Sequence, residues 1–259
     1  MQVLTSRDNR AVKEACRLRD SAAARREQGL FFAEGLRLCA DLAATCPLRA
    51  LYVTEEALAA HPQLGALGAE PVLVSASVAE KLADTRAPQG VFALLGRPPA
   101  PAPLAAGEHV LVLEQVQDPA NVGALLRSAA AFGFGRVLLC AGCADPFAPK
   151  ALRASMGAVG RLGLEWRQDA AEAIGELRAL GIPVWAAALE GSVPLDKAPA
   201  APGRGAAVVI GNEGNGLACE TVAAAGGAVR IPMGGGVESL NAAVAGGVLL
   251  WHFRAEGGT

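Results

Sequence analysis

The tightest constraint on the fold lies in the second half of the chain, where runs such as Val110-Leu111-Val112-Leu113 and Ala206-Ala207-Val208-Val209-Ile210 are apolar at every position. A strand with one wet face alternates apolar and polar residues, so an uninterrupted run belongs to a sheet covered on both faces. Helical patterns fill the intervals between these runs. They return the chain each time in the same direction, which makes the sheet parallel. The predicted strands are His109 to Glu114, Arg136 to Cys140, Leu162 to Trp166, Val184 to Leu189, Ala206 to Ile210 and Val229 to Ile231. The predicted helices are Asn121 to Phe132, Pro149 to Val159, Ala170 to Leu180, Ala218 to Ala225 and Leu240 to Phe253. In such a sheet ligands sit beyond the carboxyl ends of the strands, so function is to be sought in the loops that follow them.

Residues 96–107, GRPPAPAPLAAG, carry four prolines in twelve positions and read as a semi-rigid linker. It divides a domain of residues 1–95 from one of residues 108–259. The first part also alternates helix and strand. It opens with a helix over residues 9–28, for which Asn9 and Ser21 are possible caps, and it holds no catalytic constellation. Residues 1–26 contain Arg7, Arg10, Lys13, Arg17, Arg19, Arg25 and Arg26 against only Asp8, Glu14 and Asp20. A solvated helical face is the plainer reading, but the sign suits a phosphate backbone. Although 52% of residues are hydrophobic, no run reaches the roughly 18 uncharged apolar residues of a membrane span. The start at Met1 lacks a basic-then-apolar leader, so a cytoplasmic protein with reduced cysteines is expected. Cys140 and Cys143 have no second pair and read as structural; no metal is expected.

Three loops follow strand ends. After the strand at 109–114, Asp118-Pro119 forces a turn and Asn121 caps a helix on which Arg127 is the one charge among apolar neighbours. Such an arginine calls for a partner or an anionic ligand. The second loop, Gly211-Asn212-Glu213-Gly214-Asn215-Gly216, puts three glycines straight after an apolar strand. Its spacing is not that of a dinucleotide-binding fingerprint. The third, Ile231-Pro232-Met233-Gly234-Gly235-Gly236, leads to Ser239, a candidate N-cap, and to Asn241. Alone, this last stretch reads equally well as a packing turn or as a ligand loop. Its helix is apolar almost all round, which predicts burial on more than one side.

Taken together, DPANVGALLRSAAAFG (118–133), IGNEGNGL (210–217) and IPMGGGVESLNAAVA (231–245) resemble, in order, the three motifs of the SpoU (TrmH) family of RNA ribose 2′-O-methyltransferases, in the SPOUT class. The first part is more loosely similar to the small L30e-like RNA substrate-binding domain of that family, through Asn9 to Lys13, Phe31 to Gly35 and Ala87 to Val91. The resemblance implies an α/β domain with a deep trefoil knot. It implies S-adenosylmethionine held mainly by backbone at Gly211, Ile231, Met233, Gly236 and Leu240, and a homodimer through the final helix. It implies catalytic roles for Arg127, Asn121, Glu213, Ser239 and Asn241: Arg127 as a phosphate clamp, Asn121 orienting Arg127 or the ribose, Glu213 pairing with Arg127 or holding its loop. The substrate implied is RNA, ribosomal before transfer RNA, with Arg7, Arg10, Lys13, Arg17, Arg25 and Arg26 as RNA contacts. The competing reading is an RNA-binding or ribosome-assembly module that keeps this fold without chemistry.

Overall fold

The computed structural model describes residues 3–199, 205–236 and 239–254. In the first part the elements are α1 (Arg10–Asp20), α2 (Ala22–Gln28), β1 (Leu30–Glu34), α3 (Leu36–Ala43) and β2 (Leu48–Val53). They continue as α4 (Glu55–Ala60), β3 (Pro71–Leu73), α5 (Ala76–Leu82) and β4 (Val91–Gly96). After the proline-rich segment come β5 (His109–Leu113), α6 (Pro119–Ala131), β6 (Arg136–Cys140), α7 (Pro149–Ser155), β7 (Gly163–Arg167) and α8 (Ala170–Ala179). The chain then forms β8 (Val184–Ala187), β9 (Val193–Pro194), β10 (Ala206–Ile210), α9 (Cys219–Ala225), β11 (Ala228–Arg230) and α10 (Ala242–His252).

These elements fall into two compact units, one of Met1–Pro99 with Asp145–Gly160 and one of Ala100–Ala144 with Arg161–Thr259. In the first, four strands lie in the order β1-β4-β2-β3, with β4 antiparallel to both neighbours and β3 parallel to β2. Val12, Leu18, Phe32, Tyr52, Val78 and Phe92 pack on one side of this sheet. The single helix predicted over residues 9–28 is two. Ser21 is extended (φ −119, ψ 114), and its hydroxyl accepts from the Ala24 amide at 3.2 Å, so it ends α1 and caps α2. Asn9 caps α1 through the Ala11 amide, 2.8 Å away.

The helix predicted over Pro149 to Val159 is also shorter. Met156 takes a left-handed φ of 49 and ends α7, and a 3-10 turn follows over Ala158–Arg161. This stretch packs in the first unit, where the Phe147 ring lies 4.9 Å from that of Phe31.

The second unit holds seven strands in the order β7-β6-β5-β10-β8-β11-β9, every neighbouring pair parallel. Val110, Val112, Val184 and Val209 face Ile174 and Leu177 of α8 on one side. On the other side α10 lies against α6 so closely that a Cβ on Gly246 would stand 2.2 Å from Leu125 Cδ2. The strand predicted over Val184 to Leu189 stops at Ala187, and the two-residue edge strand β9 was not anticipated. Because the sheet is parallel, the loops after β5, β10 and β11 emerge at the same edge. No helix among the described residues is long and apolar enough to cross a membrane.

Candidate active site

At that edge the three motif loops are joined by side chains. Asn121 Nδ2 donates to Glu213 Oε1 at 2.9 Å, and Asn121 Oδ1 accepts from Asn241 Nδ2 at 2.9 Å. Asn241 Oδ1 in turn accepts from the Ala243 and Val244 amides at 2.9 and 3.3 Å, so it caps α10. A buried amide must find partners for both ends; Asn121, 8% exposed, has one motif on each. Desolvation opposes the ionisation of Glu213. The Asn121 amide and the N–H groups of Glu213, Gln117 and Asp118 outweigh it and hold the carboxyl below its ordinary value. Glu213 is therefore an anion at neutral pH, and an acceptor already engaged.

The loop that carries Glu213 is closed at its base by two bonds between Asn212 and Gly216, each 3.0 Å. Gly211 is required there, since a Cβ would meet Gly216 O at 2.5 Å. Beneath the loop, Glu114 at the end of β5 is buried. It accepts from the Ala218 amide at 3.0 Å and from the Thr221 hydroxyl at 2.7 Å, placing a carboxylate at the start of α9.

Several expected placements are corrected. Arg127 is exposed on α6 and, among the described residues, pairs with neither Asn121 nor Glu213. An arginine whose head reaches water needs no internal partner, which is why the apolar helix tolerates it. Glu213 meets Asn121 instead of Arg127. The N-cap of α10 is Asn241 and not Ser239, so the helix begins at Ala242, two residues later than predicted; Ser239 and Leu240 are exposed ahead of it. Gly235 and Gly236 take left-handed φ values of 72 and 75, and among the described residues nothing stands within 4 Å of where a Cβ would be on any of the three glycines. Met233 and Leu240, 37% and 38% exposed, flank this open backbone, and Ile231 is half-buried at its start.

A family model described as SpoU rRNA Methylase family matches residues 108–251, and one described as MRM3-like substrate binding domain matches residues 9–93. The chain belongs to the SpoU rRNA methylase family. It is 32% identical over 187 residues to the 23S rRNA (guanosine(2553)-2′-O)-methyltransferase RlmP of Bacillus subtilis (strain 168), covering 72% of this chain and 73% of that one. It is 30% identical over 300 residues to the mitochondrial rRNA methyltransferase 3A of Danio rerio, covering 96% of this chain and 69% of that one. The crystal structure of an AdoMet-bound rRNA methyltransferase from Sinorhizobium meliloti superposes with a TM-score of 0.86 at 29% identity, covering 98% of this chain and 97% of that one.

Within this SpoU methylase the other expected residues divide. Arg7, Arg10 and Arg26 are exposed; Lys13 pairs with Asp8 at 3.0 Å and Arg17 with Glu27 at 2.8 Å, both at the surface. Arg25 does not lie on that surface. It is 4% exposed, its guanidinium donating to Leu18 O and Arg19 O at 2.8 Å each and to Asp145 Oδ2 at 2.7 Å. Cys140 is buried, which pushes its thiol up to about 12, and burial raises Cys143 too. Neither thiol is activated as a nucleophile in this setting. Reading by motif gave no role to Glu114, Thr221 or Asn212. Glu114 had a signal, a lone carboxylate ending an apolar strand.

Proposed function

We propose that this chain transfers the methyl group of S-adenosylmethionine to a ribose 2′-hydroxyl of ribosomal RNA. The observation that carries the reading is the hydrogen-bonded line Glu213–Asn121–Asn241, which draws all three motifs into one site at the strand ends. The residues fit the cofactor. The open main chain at 234–236, flanked by Met233 and Leu240 and followed from Ile231, with Gly211 and exposed Leu189 on neighbouring strand ends, suits a nucleoside held by backbone groups with an apolar lining. When bound, S-adenosylmethionine supplies an electrophilic methyl on a sulfonium.

The chain's own task is to align a poor nucleophile and ease the loss of its proton. Arg127 stays protonated, with a pKa above about 12, and so is no base. Exposed and without an internal partner among the described residues, it clamps an RNA phosphate and stabilises the developing alkoxide charge. Asn121 and Asn241 have their side chains committed to the line that holds the site together. Ser239 and the far side of Glu213 remain to meet the acceptor ribose, whose proton passes to a substrate phosphate or water.

The first unit selects the RNA, as the substrate-binding family model at residues 9–93 supports, with Arg7, Arg10, Lys13, Arg17 and Arg26 on its surface; its fold is read as L30e-like. The insertion of β10 between β5 and β8 supports a trefoil knot in the second. Val244, Val248 and Trp251, exposed at 53%, 38% and 54% along one side of α10, support a homodimer through that helix. A cytoplasmic location goes with this substrate. The test is Arg127→Ala, assayed with methyl-labelled cofactor on ribosomal RNA. Transfer falls by roughly a hundredfold or more, while calorimetry finds cofactor affinity essentially unchanged. Normal turnover in this variant would remove Arg127 from the mechanism.

A further inference from the structure

Asn212 has no part in the mechanism above, yet its side chain makes three hydrogen bonds. Oδ1 accepts from the Gly214 and Asn215 amides at 2.9 and 3.0 Å, folding the loop back on itself. Nδ2 donates to Gln115 O at 2.9 Å, in the loop after the neighbouring strand β5. Gln115 is at φ 54, a left-handed backbone for a residue with a Cβ, and Gly142 packs so near that a Cβ there would lie 3.0 Å from Gln115 Cγ. Such a conformation persists only where its surroundings over-determine it. Two residues beyond Gln115, the Gln117 amide points at Glu213 Oε2, 3.5 Å away.

We propose that Asn212 is the positioning residue of the site, locking the loop after β10 to the loop after β5 and thereby directing the Glu213 carboxylate onto Asn121. One half of its amide shapes the turn that lifts Glu213. The other half fixes that turn against the backbone from which Gln117 and α6 follow. Remove both and Glu213 swings in solvent, Asn121 Nδ2 loses its acceptor, and the line to the cap of α10 is broken at its first member.

Two variants separate the halves. Asn212→Ala loses all three bonds. Asn212→Ser keeps a hydroxyl able to accept from the Gly214 amide but too short to reach Gln115 O. The primary measurement is the titration of Glu213 by carboxyl carbon NMR in the full chain without RNA or cofactor, so it does not depend on the transferase reading. Glu213 titrates higher in Asn212→Ala than in the parent, with Asn212→Ser between them, while the melting curve and far-ultraviolet spectrum confirm that both variants fold. A purely structural loop residue would not move that titration.

The kinetic arm rests on the methyl-transfer reading. Asn212→Ala lowers kcat by roughly ten- to a hundredfold, and adding it to Glu213→Ala costs no more than Glu213→Ala alone. Unaltered Glu213 titration in Asn212→Ala, or kcat losses that multiply in full in the double variant, would overturn the proposal. A parent protein with no methyl transfer but the expected titration series would overturn the transferase reading and leave this one standing.

Discussion

Arg25 and Arg26 are adjacent in sequence and opposite in fate, one sealed against Asp145 and two carbonyl oxygens, the other in solvent. Removing one partner of a buried pair leaves the other charge stranded and costs about 3–5 kcal/mol. Arg25→Ala therefore lowers the denaturation midpoint sharply, whereas Arg26→Ala leaves it unchanged and weakens RNA binding; chemical denaturation and filter binding read the two effects. Counting charges found the basic surface but could not tell these two apart. A phase count could not have done so either, because the extended Ser21 breaks the helical register between Leu18 on α1 and Arg25 on α2. The site shows the same division. Asn121, Glu213 and Asn241 were visible as motif members, but their mutual bonding was not, because hydrogen-bond partners 92 and 120 residues apart leave no local trace.

At the level of elements, α10 explains both a success and a failure of pattern reading. Its composition announced burial on more than one side, and in the single chain one face, that of Ala242, Gly246, Leu249 and Leu250, is covered. Val244, Val248 and Trp251 are just as apolar and stay exposed in the single chain; residue type alone cannot say which stripe stays open. If the proposed dimer forms through this stripe, Val248→Glu, which puts a charge in its middle, sediments as monomer in sedimentation velocity while secondary structure is retained; sedimentation identical to the parent's would remove this interface.

On the covered side, the contact of Gly246 with Leu125 leaves no room for a branched residue. Gly246→Val costs about 1–3 kcal/mol through overpacking, measured as a lowered denaturation midpoint. The start of α10 was misplaced by two residues because Ser239 and Asn241 are both good caps by type. Asn241 takes the cap, and its other side-chain atom is held by Asn121, a contact no local pattern shows.

On the scale of the whole molecule, the continuous apolar strands made a parallel sheet legible. Their spatial order was not, because the central strands β6, β5 and β10 are all buried along nearly their whole length, and that shared character does not say which lies beside which. A basic amino-terminal segment that binds a phosphate backbone releases counterions, so RNA affinity falls steeply as salt rises while cofactor affinity stays nearly flat. Parallel titrations at low and moderate salt measure both, and equal slopes would remove that segment from RNA binding.

A helix over Pro149 to Val159 was predicted, but the unit it joins was not: residues 145–160 leave the second half of the sequence to complete the first unit, bringing Asp145 to Arg25 and Phe147 to Phe31. This bears on how such a protein can be recombined. Severing it at the proline-rich segment would take the counter-ion from Arg25 and an aromatic neighbour from Phe31. A fragment ending there is a poorer folder than its family boundary suggests. A chimera that exchanges the amino-terminal part must carry a matching insert from the middle of the donor's other half, so the two parts are inherited as a pair.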